Sequence, residues 1–568
     1  MQKKWQILPI VPNDWQQKFP EIPPVILQLL YNRKLDSQEK IDEFINPDYS
    51  QDLHDPFLFN DMRKAMERLH QALNEKEKIV IHGDYDADGV SATVIIFNVL
   101  KKSGFENLDI YLPHREKEGY GINLKTIEFF KKQKINLIIT CDCGISNKLE
   151  IAEAGKAGIE TIITDHHSEP AELPQAVAII NPTLKNENYP FKNLAGSGVA
   201  FKFAQAILRE FAVSESETFA KWLLDLVAIG TIADVSPITG ENRTLVKYGL
   251  TVVAKSKRLG LQKLIEIAGI KREKINTYTI GYQIAPRINS AGRIDHANTA
   301  FKLLSTTNLE ESIVIANELN KNNQERQKLT EQIFNEASKQ IAEQLTKNLI
   351  LFAKNEKWNP GVVGLVAGKI CQEHHRPTFV FGSDGRFLVG SGRSIPEFNI
   401  IEAINGQKDL LERFGGHPGA CGLSVKAENY SELIENLTNL ANQKLKDFEL
   451  LPFLKIDAEI TINDLNWDLV DWLDKFEPFG DFNPKPKFLI KNLLINDLNL
   501  VGSNNQHLKI KVADEQGSIK KAIIFNCEKL CPNLQLGELV DLVFEITVNH
   551  WNGSKEIELN CQDLKKVN

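Results

Sequence analysis

Residues 78–91, KIVIHGDYDADGVS, decide how the rest of the chain is read. Ile79-Val80-Ile81 is a short apolar, β-branched run bounded by Lys78 and His82-Gly83, and it reads as a buried strand. His82, Asp84, Asp86 and Asp88 follow directly, then Gly89 and a helical pattern from Val90 to Lys102. Carboxylates crowded onto one strand-to-helix turn normally share a cation, because an unpaired buried charge is costly. His82, Asp86 and Asp88 supply nitrogen and oxygen donors of the kind that Mn²⁺ or Mg²⁺ accepts.

Outward from this turn, apolar runs alternate with amphipathic helical patterns. Strands are expected at Leu108–Leu112, Asn136–Thr140, Thr161–Thr164 and Val177–Ile180. The alternation predicts an α/β domain built on a doubly wound, largely parallel sheet, with ligands bound at the carboxyl ends of its strands. Upstream, residues 1–75 read as a helical lead-in packed on that core. Downstream, helices are expected at Gly198–Arg209 and Glu217–Ile232, and a polar span at 270–300 completes a domain of residues 76–305. Residues 306–346 form a long polar helical pattern without Pro or Gly, suited to connecting two lobes. A second, smaller α/β domain is expected over 347–450, with strands at Leu349–Ala353, Thr378–Phe381 and Phe387–Ser391. Residues 451–568 alternate apolar and polar positions, as in Leu508-Lys509-Ile510-Lys511-Val512. With turns at Asp514–Gly517 and Asn552-Gly553, they read as a small antiparallel barrel or sandwich.

Composition allows this plan. A chain of 568 residues suggests three or four domains at about 100–200 residues each. Hydrophobic content of 42% and charged content of 25% suit a globular protein with proper cores. There is no apolar run of about 18 residues and no signal-like N-terminus, so neither a membrane span nor export is expected. Seven cysteines without framework spacing argue for reduced thiols in a cytoplasm. Cys141 and Cys143, and Cys527 and Cys531, meet no partner pair at zinc spacing. Nothing signals oligomerisation, and a monomer is expected. Net charge is −8, which on its face disfavours a polyanionic partner. Bound divalent ions would invert the sign of an acidic cleft, so the objection is weak.

Three more acidic or imidazole positions fall at element ends: Asp142 after the strand INLIIT, Asp165-His166-His167 after Thr161–Thr164, and Asp234 at the end of the apolar helix LLDLVAIGTIA. One cation would take His82, Asp86 and Asp142; a second would take Asp88, Asp142, His166 and Asp234, with Asp142 bridging. Two such ions activate a water and stabilise both oxygens of an in-line phosphoryl displacement. His167 is left as a candidate general acid or transition-state donor.

DYDADG, DCG, the literal DHH and the Asp of GTIADV resemble, in that order, the four motifs of the DHH phosphoesterase superfamily. PHREKEGYG at 113–121, RINSAGR at 287–293, SGRS at 391–394 and GGHPGACG at 415–422 resemble the RecJ-type single-strand-specific exonucleases. The resemblance implies a DHH core, a connecting helix, a DHH-associated domain and an OB-like barrel. It implies hydrolysis of single-stranded DNA from the 5′ end to 5′-mononucleotides in repair and recombination, with Mn²⁺ or Mg²⁺. A helicase and a single-strand-binding protein are the implied partners. Asp142 and His167 then take the catalytic roles, with Asp84 and Asp165 behind the ligands. Arg115, Ser391 and Arg393 are placed to hold a terminal phosphate, since guanidinium forks match phosphate geometry. His417 would contact the scissile or a neighbouring phosphate. Arg287, Asn289 and Arg293 would either line the strand path or brace the site. Two alternatives share the fold: a small-molecule pyrophosphatase or cyclic-oligonucleotide phosphodiesterase, and a non-catalytic scaffold.

Overall fold

The computed structural model describes residues 3–115, 117–502, 504–527, 534–551 and 553–567. Cys531, Asn552 of the expected Asn552-Gly553 turn and Glu116 of the 113–121 motif lie outside them.

Strand β1 (Lys4–Ile7) pairs in parallel with Phe453–Ile456, near the other end of the chain. Val11, Ile26, Leu30, Phe44 and Ile45 share one hydrophobic cluster with Phe476, Phe488, Leu493 and Val540. The lead-in therefore divides. Only its last part, with Met62, Met66 and Leu69 on the helix Met62–Asn74, joins the core of the first α/β domain. The expectation that all of 1–75 packs on that core is corrected, because an apolar helix face specifies burial but not the partner.

The sheet of the first α/β domain has β2 (Ile79–Gly83), β3 (Leu108–Tyr111), β4 (Leu137–Cys141), β5 (Glu160–Thr164) and β6 (Ala178–Ile180) in the order β3-β2-β4-β5-β6. Every pairing is parallel. Ile79, Ile81, Leu137 and Ile139 point into one cluster, while Val80, Ile138 and Ile163 point into another. Burial on both faces explains why these strands read as unbroken apolar runs. The helix Ala87–Lys102 leaves on one face and Leu124–Lys132 returns on the other, so the winding reverses between β2 and β4. That reversal opens the crevice where the acidic turns meet.

Later helices depart from expectation in two places. The stretch 217–232 is two helices, Ser216–Trp222 and Leu224–Ala233. The polar span 270–300 contains a wide π turn, Ile280–Ile284, running into the helix Ala285–Ile294. Pro286 lacks an N–H and would disturb an ordinary helix; the π turn just before it accommodates the missing bond.

The connecting helix runs Leu309–Ile341, 33 residues or about 50 Å, and Asn308 caps it by accepting from Glu311 N. Ile315, Ala316 and Leu319 belong to the core of the first α/β domain, whereas Ile333, Ala337 and Ile341 belong to the second domain. One rigid element is thus shared by two cores. The second domain holds β7 (Leu351–Lys354), β8 (Thr378–Ser383), β9 (Leu388–Arg393), β10 (Leu411–His417) and β11 (Ala420–Val425), ordered β10-β11-β9-β8-β7. The hairpin β10–β11 was not expected; it carries the glycine-rich 415–422 motif.

After β12 (Phe453–Ile456) and β13 (Ala458–Glu459), strands β14 (Phe488–Val501), β15 (His507–Ala513), β16 (Ile519–Ile524), β17 (Leu539–Trp551) and β18 (Ser554–Lys566) form a closed ring. Leu508, Ile510 and Val512 face its interior. The β16–β18 pair is parallel, so the barrel is mixed rather than antiparallel. Arg243, 2% exposed, ties this end of the molecule to the first α/β domain. Its guanidinium donates to the carbonyls of Phe44, Lys475, Phe476, Glu477 and Pro478.

Candidate active site

The turns after β2, β4 and β5 sit at the carboxyl ends of neighbouring strands, which brings Asp84–Asp88, Asp142 and Asp165–His167 to the switch point. Asp234 joins them from the C-cap of Leu224–Ala233. Among the described residues three donor sets converge, the atoms of each within 4.8 Å of one another. They are Asp88, His166 and Asp234; Asp142, His166 and His167; and Asp84, Asp86 and Asp142. Asp142 belongs to two sets, the place of a bridging carboxylate. Asp84, expected behind the ligands, is in a set, and its Oδ1 is buried without a hydrogen-bond partner. His82 is in none of them, although its Nε2 is also buried and unpartnered.

Local structure fixes each carboxylate. Asp86 is the N-cap of Ala87–Lys102, and its Oδ1 accepts from Asp88 N and Gly89 N. Asp88 accepts from Gly196 N at 2.7 Å and Ser197 N at 2.9 Å, the first donors of the helix Gly196–Glu210. Asp142 adopts the left-handed conformation at φ 61°, which Asp tolerates better than most residues. Gly196 has no room for a side chain: a Cβ there would lie 2.5 Å from Asp142 Oδ1. At Gly230 it would lie 2.2 Å from Asp88 Oδ1. Asn289 Oδ1 accepts from Ala87 N at 2.7 Å, and the Ser236 hydroxyl donates to Asp234 Oδ2.

The electrostatics of this cluster are those of an anionic cage. Burial, with Asp88, Asp86 and Asp84 beside it, holds the Asp142 carboxyl well above its usual range. Burial and Asp234 push Asp88 up to about 6. Burial pushes His82 down to about 4, leaving a neutral ring able to ligate. Burial disfavours protonation of His166, yet Asp234 and Asp88 outweigh it and raise its pKa. His166 Nε2 lies 3.0 Å from Asp142 Oδ1 without the alignment of a hydrogen bond, as two donors aimed at a common ion would. These oxygen and imidazole atoms fit hard divalent cations.

Asp165 behaves differently. Its oxygens accept from Ile145 N, His166 N, His167 N and His167 Nδ1. Burial would raise its pKa, but the bond from His167 prevails and lowers it. Asp165 thus stays ionised and orients His167. The Tyr120 hydroxyl donates to Asp142 O at 2.9 Å and lies 3.0 Å from His167 Nδ1.

A second cluster carries the opposite sign. Burial, together with Arg115, Arg326 and Arg393, pushes Arg293 down to about 9; Asp86 also acts on it, which ties this cluster to the acidic one. Arg293 Nη1 donates to Gly361 O in the second domain, and Arg115 lies over the Tyr85 ring at 5.1 Å. Arg393 Nη1 donates to Ser391 Oγ at 2.9 Å. The arginines that form ion pairs among the described residues are Arg33, Arg68, Arg209 and Arg258, so none of these four does. Arg287 instead donates to Gln283 O and Asn320 Oδ1, bracing the connecting helix. His417 is exposed at the hairpin tip; Ala420 separates it from Arg393, which puts it roughly 10 Å from that residue across two strand spacings. Sequence reasoning missed Arg326, hidden in a polar helix, and Tyr120, which sat unremarked inside a quoted motif. It also missed the Gly196-Ser197 donors.

Three family models match the chain in order: "DHH family, N-terminal domain" over residues 78–231, "DHHA1 domain" over 329–447 and "RecJ OB domain" over 456–563. The chain is 37% identical over 545 residues to the single-stranded-DNA-specific exonuclease RecJ of Bacillus subtilis, covering 95% of this chain and 68% of that protein. It is 31% identical over 563 residues to RecJ of Haemophilus influenzae, covering 96% of each. The crystal structure of RecJ from Thermus thermophilus in complex with Mn²⁺ matches it with a TM-score of 0.85 at 27% identity, over 100% of this chain and 80% of that one. The chain belongs to the RecJ family of single-stranded-DNA-specific exonucleases.

Proposed function

We propose that this chain hydrolyses single-stranded DNA from its 5′ end, releasing 5′-mononucleotides, with two divalent cations, Mn²⁺ or Mg²⁺. The observation that carries the reading is the juxtaposition of signs: an acidic cage with orphaned buried oxygens beside four arginines that form no ion pair among the described residues. Asp84, Asp86, Asp88, Asp142, His166 and Asp234, with His82 at their edge, would hold the cations. Bound there, they would activate a water and stabilise the oxygens of the scissile phosphate. Arg115, Arg293, Arg326 and Arg393, with Ser391, hold a terminal phosphate by charge-assisted bonds. A pocket that accepts a terminal phosphate next to the cage sets the polarity, because the first phosphodiester beyond it reaches Asp142. Asp165 fixes His167 Nδ1, leaving Nε2 to give a proton to the leaving oxygen. The Arg293–Gly361 bond joins the two domains, and on this reading the path between them admits a single strand and excludes duplex. The barrel tracks the strand beyond it.

The same reading makes the enzyme a cytoplasmic monomer in DNA repair and recombination, supplied by a helicase and a single-strand-binding protein. No disulfide joins the described cysteines, and none of the described helices is long and apolar enough to cross a membrane, in keeping with that setting. The test offers Mn²⁺ with 5′-phosphorylated single strands, duplex, pyrophosphate and a cyclic dinucleotide. Mononucleotides should appear from the single strands alone; hydrolysis confined to the small substrates would refute the proposal.

A further inference from the structure

Tyr278 and Tyr282 are 62% and 70% exposed, yet their rings stack with centroids 4.7 Å apart and planes 26° apart. Among the described residues this is the stacked ring pair with both members in solvent. Tyr278 lies just before the π turn Ile280–Ile284 and Tyr282 lies within it, a distortion that recurs at functional sites. Their position is equally specific. A Cβ at Gly281, between them, would lie 3.5 Å from Ile232 Cγ2, two residues before Asp234. Asn289, bonded to the metal-binding turn at Ala87, follows Tyr282 by about 10 Å of helix axis. On the other side the Thr277 hydroxyl donates to Phe479 O at 2.7 Å, in the segment leading into the barrel strand β14. The pair therefore stands between the acidic cage and the barrel.

Its chemistry favours bases over phosphates. Tyr278 walls a cavity of about 510 Å³ in which Lys247 and Lys485 are balanced by Asp474 and Glu477. That balance offers no net attraction to a polyanion, so only the open ring faces provide recognition. We infer that Tyr278 and Tyr282 form a base-stacking subsite, on which a nucleobase of the single strand rests after leaving the cleft and before reaching the barrel. The inference rests on the proposed single-strand exonuclease activity. The competing explanation is that the rings merely stabilise their own helix turn, as ring pairs four apart do.

The experiment compares wild type, the double variant Tyr278→Ala with Tyr282→Ala, and the double variant Tyr278→Phe with Tyr282→Phe. Binding is read in chelator, where hydrolysis plays no part, by the quenching of 2-aminopurine placed at successive positions of a 5′-phosphorylated strand. Quenching is expected at an internal position with wild type and the Phe variant, and should vanish with the Ala variant. In Mn²⁺ the Ala variant should raise KM for a dodecamer on the order of 5- to 100-fold, equivalent to about 1–3 kcal/mol, and leave a dinucleotide unchanged. Equal quenching by all three proteins overturns the inference, as does equal loss on dinucleotide and dodecamer, which marks a structural role. Quenching without mononucleotide release would refute the proposed activity while leaving the subsite standing.

Discussion

Asp142→Asn should make the metal-free protein more stable and the enzyme inactive. Asp142 is 3% exposed, its Oδ1 has no hydrogen-bond partner, and Asp84, Asp86, Asp88 and Asp234 all bear on it. Asn has the same shape and tolerates the left-handed backbone at φ 61° equally well, so the change removes charge without moving the chain. Removing a buried, unsatisfied carboxylate is worth about 1–3 kcal/mol. At about 2–4 °C per kcal/mol for a domain of this size, the catalytic domain in chelator should melt several degrees higher. Saturating Mn²⁺ reverses the order. A ligand at 100 times its Kd stabilises a fold by about 2.7 kcal/mol, and the variant loses the carboxylate shared by two of the three donor sets. Wild type should then gain several degrees and the variant little. Mononucleotide release should fall by about 10³-fold or more, the scale of losing a central electrostatic element. Melting curves with and without Mn²⁺ check the stability half. A variant less stable than wild type in chelator, or one that gains as much from Mn²⁺, would show that the Asp142 oxygen is not aimed at a cation.

Four shorter predictions accompany it. Gly196→Ala places a Cβ 2.5 Å from Asp142 Oδ1, so Mn²⁺-dependent activity should collapse while circular dichroism stays near wild type. Arg393→Lys should raise KM for 5′-phosphorylated strands about tenfold or more and leave 5′-hydroxyl strands unaffected; equal effects on both would remove the phosphate pocket. Asp165→Asn removes the partner that raises the His167 pKa against the opposing effect of burial. A raised pKa keeps the proton on His167 to higher pH, so the alkaline limb of the rate profile should move to lower pH in the variant. Arg243→Met abandons five carbonyls, three of them in fully buried bonds, and limited proteolysis should release the C-terminal barrel well before the catalytic domain is cut.

The catalytic sheet was legible because its central strands β2 and β4 are buried on both faces. Ile79 and Ile81 face one core and Val80 the other, so the run has no polar position to blur it. The hairpin β10–β11 was illegible for the opposite reason. Gly415, Gly416, Gly419 and Gly422 erase side-chain alternation, and Gly416, at φ 151°, leaves only 2.3 Å between a built Cβ and Ala420 O. The lead-in misled differently. Ile26 and Leu30 announce a buried helix, but their partners Phe476 and Phe488 lie more than 400 residues downstream, and no local pattern records that distance. The parallel β16–β18 pair escaped for the same reason: alternation specifies a strand's faces, not its neighbour.

In the site, legibility followed side-chain chemistry. Asp86, Asp88, Asp142, His166 and Asp234 stood out because acids and imidazoles after apolar runs have little other reason to cluster, and the structure gathers them. What hid were the residues that act through their backbone or their smallness. Gly196 matters because Asp142, far upstream in sequence, fills the space its missing side chain leaves; Gly230 matters likewise for Asp88. Neither glycine carries a mark of this in its own neighbourhood. Arg326 was concealed by abundance, one charge on a helix full of them, until its position beside Arg293 distinguished it. The acidic half of this site can therefore be read along the chain, whereas the arginine half draws on residues of the connecting helix and the second domain that no stretch of sequence places together.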